Sequence, residues 1–176
     1  MQDHLERYVT IHARLRRCED KHTPSDPVHA GMVCRKGLLK PKGDFPAFAE
    51  ELELLTSEFR KCGAADYAAF CTAASARCRD ALSDKHGAAM LHMRAAQALA
   101  GVTDQEYSEL GEINDDVLDE AMHCYLICIQ IYTGLDRAAL AAAVQKELGV
   151  WLLRFGRFVE AAVQFEVRAY GFRGSR

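Results

Sequence analysis

Seven cysteines and seven histidines are spread through the chain, and several are close enough in sequence to raise the question of metal or thiol chemistry. Cys71 and Cys78 lie seven residues apart, and Cys124 and Cys128 are separated by three, with His123 beside them. A structural zinc site needs four convergent Cys or His ligands, usually announced by a CxxC or an H-x3-H pair, and neither group supplies one. On a helix, a spacing of seven is two turns along one stripe, so Cys71 and Cys78 should both point inward. A buried reduced thiol then behaves as a small hydrophobe rather than a ligand or nucleophile. His86 and His92 share no recognisable motif with a serine, cysteine or carboxylate, so they read as surface or packing residues. The acidic run "DQEYSELGEINDD" resembles a calcium loop in composition only, because Gly111 falls two places late for the required turn. There is no phosphate loop and no nucleophile motif. The residues therefore point to no catalytic centre, no cofactor and no metal, and the chain does not read as an enzyme.

Composition agrees. At 176 residues the chain can bury a sizeable core without disulfides. The odd cysteine count, the absence of an apolar leader after Met1, and a most apolar stretch ("AMHCYLICIQIY") too short and polar to span a bilayer give a cytoplasmic reading with reduced thiols and no membrane insertion. Nine Lys or Arg stand against five Asp or Glu through Lys42, while eight acids fall between Asp104 and Glu120. The basic excess is small and lacks interleaved aromatics, which excludes nucleic acid as the expected partner. The acidic middle reads as a solvated face or a surface for a basic partner.

The elements that must carry these residues are helices. Phe45, Phe48, Leu52, Leu55 and Phe59 step by three and four behind a cap at Asp44, with Pro46 in the first turn. After Gly63, Asp66 is positioned to cap a helix bearing Tyr67, Phe70 or Cys71, Ala74, Cys78 and Leu82 on one face. Further stripes are Leu91, Ala95, Leu99; then Leu118, Ala121, Tyr125, Cys128, Tyr132; then Leu140, Val144, Leu148, Trp151, Phe155; and finally Phe158, Ala161, Ala162, Phe165, Ala169. Thr103 and Glu106 have the form of a capping box, Asn114 precedes two acids suited to a helix start, and Asp136 after Gly134 can close one helix and open another. No stretch alternates with period two for long enough to make a strand. An N-terminal helix over residues 1–20, a flexible Pro- and Gly-containing connector over 21–43 and a helical-repeat solenoid over 44–176 are expected.

The joints resemble one another. Gly63, Gly134 and Gly156 each precede by five residues an alanine (Ala68, Ala139, Ala161) that lets the next helix approach closely. In the last unit Leu148, Gly149, Gly156, Phe158, Ala161 and Phe165 match the spacing of a tetratricopeptide repeat, with Gln145 in place of the usual aromatic and Arg168 in place of the usual late alanine. The expected fold is all-α, a tetratricopeptide-like solenoid of helical hairpins. The inner positions are mainly Ala, Cys and aromatic, which suits a broad folded partner better than a short peptide.

Longer stretches point further. "LERY", "RKGLLKP", "ADYAAFCTAASARCRDAL" and "LGVWLLRFGRFVEAAVQFEVRA" resemble the forty-kilodalton huntingtin-associated protein family, also called the factor VIII intron 22 proteins, with Tyr67-Ala68-Ala69, Cys71, Ala76-Arg77-Cys78 and Ala81-Leu82 as the matching positions. The resemblance covers nearly the whole chain and is weakest over residues 21–34 and 101–116. It implies a non-catalytic scaffold that binds and stabilises huntingtin, a HEAT-repeat protein, and links it to the Rab5 GTPase on early endosomes in vesicle-cytoskeleton trafficking. It also implies a cytoplasmic protein recruited to early endosomes, with a nuclear pool. The family is longer, so the chain is expected to correspond to its N-terminal part. No partner-binding residues carry over position by position. The alternative from the residues alone is a general tetratricopeptide-type adaptor of vesicle fusion or protein assembly.

Overall fold

A computed structural model describes residues 1–20 and 44–171; the expected connector over 21–43 lies outside the described residues. Among them are seven helices and no strand: α1 (Gln2–Asp20), α2 (Phe45–Lys61), α3 (Ala65–Ala81), α4 (Lys85–Leu110), α5 (Asp115–Gly134), α6 (Ala138–Arg154) and α7 (Phe158–Gly171). From α2 onward each helix packs against the next, and α1 returns to lie on α2 and α3. This is the expected stack of helical hairpins.

Four of the joints are the same device. At Cys62, Leu82, Leu135 and Phe155 the helix ends, and the next residue takes a left-handed conformation: Gly63 (φ 74°), Ser83 (66°), Asp136 (56°) and Gly156 (70°). Each joint then closes with the paired backbone bonds of a Schellman motif, as in Gly63 N to Arg60 O (3.2 Å) and Ala64 N to Phe59 O (3.0 Å). Five residues beyond each left-handed position sits a buried alanine: Ala68, Ala88, Ala141 and Ala161.

This register corrects several expectations. Gly134 is the last residue of α5 rather than the turn; Asp136 carries the positive φ, and Ala139 is accordingly exposed while Ala141 is buried. The α6 stripe shifts with it, leaving Leu140 exposed. Ser83, which has no glycine to mark it, makes the joint before α4, and Leu82 is its exposed C-cap rather than part of the inward face of α3. Asp66 does not cap α3. The N-cap is Ala64, whose N–H already closes the preceding Schellman motif, and Asp66 stands in the first turn facing the helix dipole. Thr103 and Glu106 form no capping box either. They lie inside the 26-residue α4, where the Thr103 hydroxyl donates to Leu99 O at 3.1 Å, and the helix runs on to a left-handed Gly111. Phe158 and Ala162 are exposed, so the inward side of α7 is marked by Ala161 and Phe165; the side chain of Ala169 lies outside the described residues. The caps at Asp44 and Asn114 are as expected, their side chains accepting from Ala47 N and Val117 N.

Two apolar cores result. Ile11 and Leu15 of α1 join the Phe45–Phe59 stripe of α2 and one side of α3. The second core runs from the other side of α3 through α4 and α5 to α6 and Ala161. α3 serves both: Ala68, Cys71, Ala74 and Cys78 face the first, Ala69 and Ala73 the second. A helix packed on both sides needs small side chains, which is why the stretch from Ala68 to Cys78 contains so many.

Candidate partner-binding surfaces

The cysteines singled out by spacing are core residues. Cys71 and Cys78 are buried in the first core, Cys124 and Cys128 in the second, so the two pairs serve different packing units. Burial in apolar surroundings pushes the thiols of Cys71 and Cys124 up to about 12 and those of Cys78 and Cys128 up to about 11. His123, beside Cys124, points to the surface. Among the described residues no three His, Cys, Asp or Glu side chains are grouped to hold a metal ion. His86 is exposed, whereas His92 is 3 % exposed.

The acidic stretch is on the surface, as expected, and the following helices partly neutralise it. Arg154 pairs with Asp104 at 2.8 Å, and Arg157 lies 3.8 Å from Asp115 and 3.9 Å from Asp119 while bonding Glu160 at 2.7 Å. Exposed pairs of this kind contribute little stability but arrange charge.

Among the described residues, three surfaces carry apolar side chains that a partner could cover. The first is a trough beside α1. Its two lobes, about 730 and 520 Å³, share Arg77, His92 and Ile127 in their linings. Tyr8, His12 and Arg16 of α1 line one wall, and Glu120, His123 and Ile127 of α5 the other; Ala81, Ile131 and Leu135 continue it. Arg77 rises from α3 in the middle, with Nε 3.3 Å from Glu19 of α1 and Nη2 buried without a hydrogen-bond partner among the described residues. His92 Nδ1 is likewise buried without a partner. Desolvation, with the Arg77 charge second in each case, pushes both His12 and His92 down to about 4.

The second surface is a groove of about 530 Å³ between α4 and α6, floored by Tyr125 of α5. Tyr125 donates to Glu147 Oε1 at 2.9 Å and Gln97 donates to the same oxygen at 3.0 Å, while the buried indole N–H of Trp151 has no partner among the described residues. The third is the outer side of α7, where Phe158 is 66 % and Val159 77 % exposed, with Val163 half-exposed beside them.

Sequence reasoning did not find the trough. Its residues come from α1, α3, α4 and α5, and no local spacing connects Tyr8 or His12 with Arg77, His92 and Ile127. Arg77 was visible only as one position in the alanine- and cysteine-rich stretch. No helix among the described residues is long and apolar enough to cross a membrane. No protein-family model matches the chain, nor does any curated protein or solved structure.

Proposed function

We propose that the chain is a non-catalytic scaffold that binds and stabilises a huntingtin-like HEAT-repeat protein and connects it, through the Rab5 GTPase, to early endosomes in vesicle-cytoskeleton trafficking. The observation that carries the scaffold reading is the open apolar side of α7. Among the described residues Phe158, Val159 and Val163 leave an apolar side on α7, a surface that a partner, or further repeats of the longer family the chain resembles, would cover. The resemblance over the α3 stretch and the α6–α7 hairpin supplies the identity of the partner. A broad apolar contact of the size typical of obligate complexes, upward of roughly 2,000 Å², would persist in moderate salt. Co-expression with the huntingtin homologue of the same organism, followed by size-exclusion chromatography in moderate salt, tests the reading. Co-elution is expected, and a Val159→Asp, Val163→Asp double variant should elute apart from the partner with an unchanged melting temperature. Separate elution of the unaltered pair would overturn it.

A general tetratricopeptide-type adaptor is the second reading, favoured by the α4–α6 groove, which suits an extended peptide. A complex that dissolves on addition of a short peptide taken from the partner, and survives the Val159 and Val163 changes, would favour this reading over the scaffold.

A further inference from the structure

We infer that a polar depression where α2, α3 and α4 meet binds a phosphomonoester, carried on a phosphorylated serine or threonine of a partner protein. The inference stands apart from the scaffold reading, since it needs neither the huntingtin-like partner nor the outer side of α7. The depression, about 390 Å³, takes Thr56, Ser57 and Arg60 from α2, Thr72 from α3, and Leu91 and Arg94 from α4. Arg60 and Arg94 are both exposed, and among the described residues neither guanidinium has an ion pair or a hydrogen bond. Arg60 stands in the last turn of α2, where a cation suits the helix dipole. Arg94 has no such use: it lies inside α4, and the residues three and four away (Met90, Leu91, Gln97, Ala98) include no acid. Two cations bordering one depression repel each other, and an anion shared between them removes that repulsion.

The kind of anion follows from the donors. A carboxylate is satisfied by a single guanidinium fork, whereas a phosphomonoester offers three oxygens and nearly two charges, which two forks and the exposed Ser57 hydroxyl match. The acid in the lining, Glu53, is two turns of α2 from Arg60, about 10 Å, and lies 3.6 Å from Arg79. Thr56 and Thr72 already donate to Leu52 O at 2.8 Å and Ala68 O at 2.9 Å, so their oxygens can act only as acceptors. Acceptors suit the amide N–H groups of a peptide rather than the phosphate itself, and Leu91 adds an apolar contact for that peptide. The stretch over residues 21–43 carries five Lys or Arg against one Asp, so its charge does not complement the two arginines.

The test titrates the full chain, 15N-labelled at arginine, with an acetylated Gly-Gly-phosphoserine-Gly-Gly amide at constant ionic strength, following the arginine Nε–H resonances. Arg60 and Arg94, assigned from Arg60→Gln and Arg94→Gln, should move along one shared binding curve, while the exposed Arg137 stays unchanged. Each single variant should weaken binding roughly five- to ten-fold, and the double variant should abolish it. Arg60→Lys, which keeps the charge but loses the fork, should lose less, and Glu53→Gln should tighten binding roughly two-fold. Melting temperatures should not change, because both arginines are exposed and unpaired. The unphosphorylated peptide should not bind, and inorganic phosphate should bind more weakly than the phosphopeptide. Separate curves for Arg60 and Arg94, an equal response of Arg137, or inorganic phosphate matching the phosphopeptide would overturn the inference. So would binding to phosphatidic acid vesicles that requires both arginines in a protein that ignores the phosphopeptide.

Discussion

The ring of Phe165 occupies the space a side chain at position 149 would need. A Cβ built on Gly149 would lie 2.7 Å from Phe165 Cζ, so α6 and α7 approach this closely only because position 149 has no side chain. Gly149→Ala should destabilise the protein by about 1–3 kcal/mol through overpacking, despite the better helix propensity of alanine. Denaturant melts of Gly149→Ala, Phe165→Leu and the double variant would test this. The double variant should recover part of the loss, and simple additivity would show that the two positions are not in conflict.

Because the four matched joints differ only in the residue placed in the left-handed region, they predict opposite responses to substitution. Gly156→Val puts a β-branched residue at φ 70° and should cost on the order of 1 kcal/mol or more. Ser83→Gly should stabilise by up to about 1 kcal/mol, since serine there bears strain that glycine does not. Thermal melts of the two variants should move in opposite directions.

The thiols should divide by location. Cys62 is exposed and Cys18 half-buried, whereas Cys71, Cys78, Cys124 and Cys128 are buried with their pKa values raised. With iodoacetamide and mass spectrometry, Cys62 should be labelled first among the cysteines of the described residues. The four core thiols should react at the rate of structural opening, rapidly in denaturant and with little acceleration in the native protein between pH 7 and 9, a range chosen roughly to titrate an ordinary thiol.

His92 makes stability depend on pH in a defined direction. Its pKa falls from 6.5 in the unfolded chain to about 4 in the folded protein, so between these values the unfolded state binds the extra proton. Stability is therefore fully present above pH 6.5 and is lost as the pH falls toward 4, by about 3 kcal/mol for this group. His12 shifts the same way but is half-exposed, so its share is smaller. Urea melts of the native protein and His92→Gln across that window should converge at low pH, the variant showing the shallower loss.

The helical stripes were legible where apolar side chains are large and regularly spaced. The Leu118–Tyr132 and Phe45–Phe59 sets are buried as their spacing required. The joints were legible only where glycine marked them. Ser83 and Asp136 do the same work by polar residues that tolerate the left-handed region, so one joint went unseen and another was placed two residues early. Thr103 shows the complementary failure: a threonine three residues before a glutamate caps a helix only if the helix begins there, and inside α4 its hydroxyl finds Leu99 O instead. The trough was illegible because Arg77 and His92 acquire neighbours only when α1 folds back on the stack.

The two-sided packing of α3 determines where this chain can drift. An added methyl at Ala74 presses on the core shared with α1 and α2, and one at Ala69 presses on the core that leads to α7. No relaxation on one side relieves the other, so accepted changes along Ala68–Cys78 should be confined to residues no larger than those present. The outer side of α7, with Val159 open to its surroundings, meets no such opposition from the described residues. Variation there is limited by whatever covers it, which makes the contrast between these two helices a record of internal against external constraint.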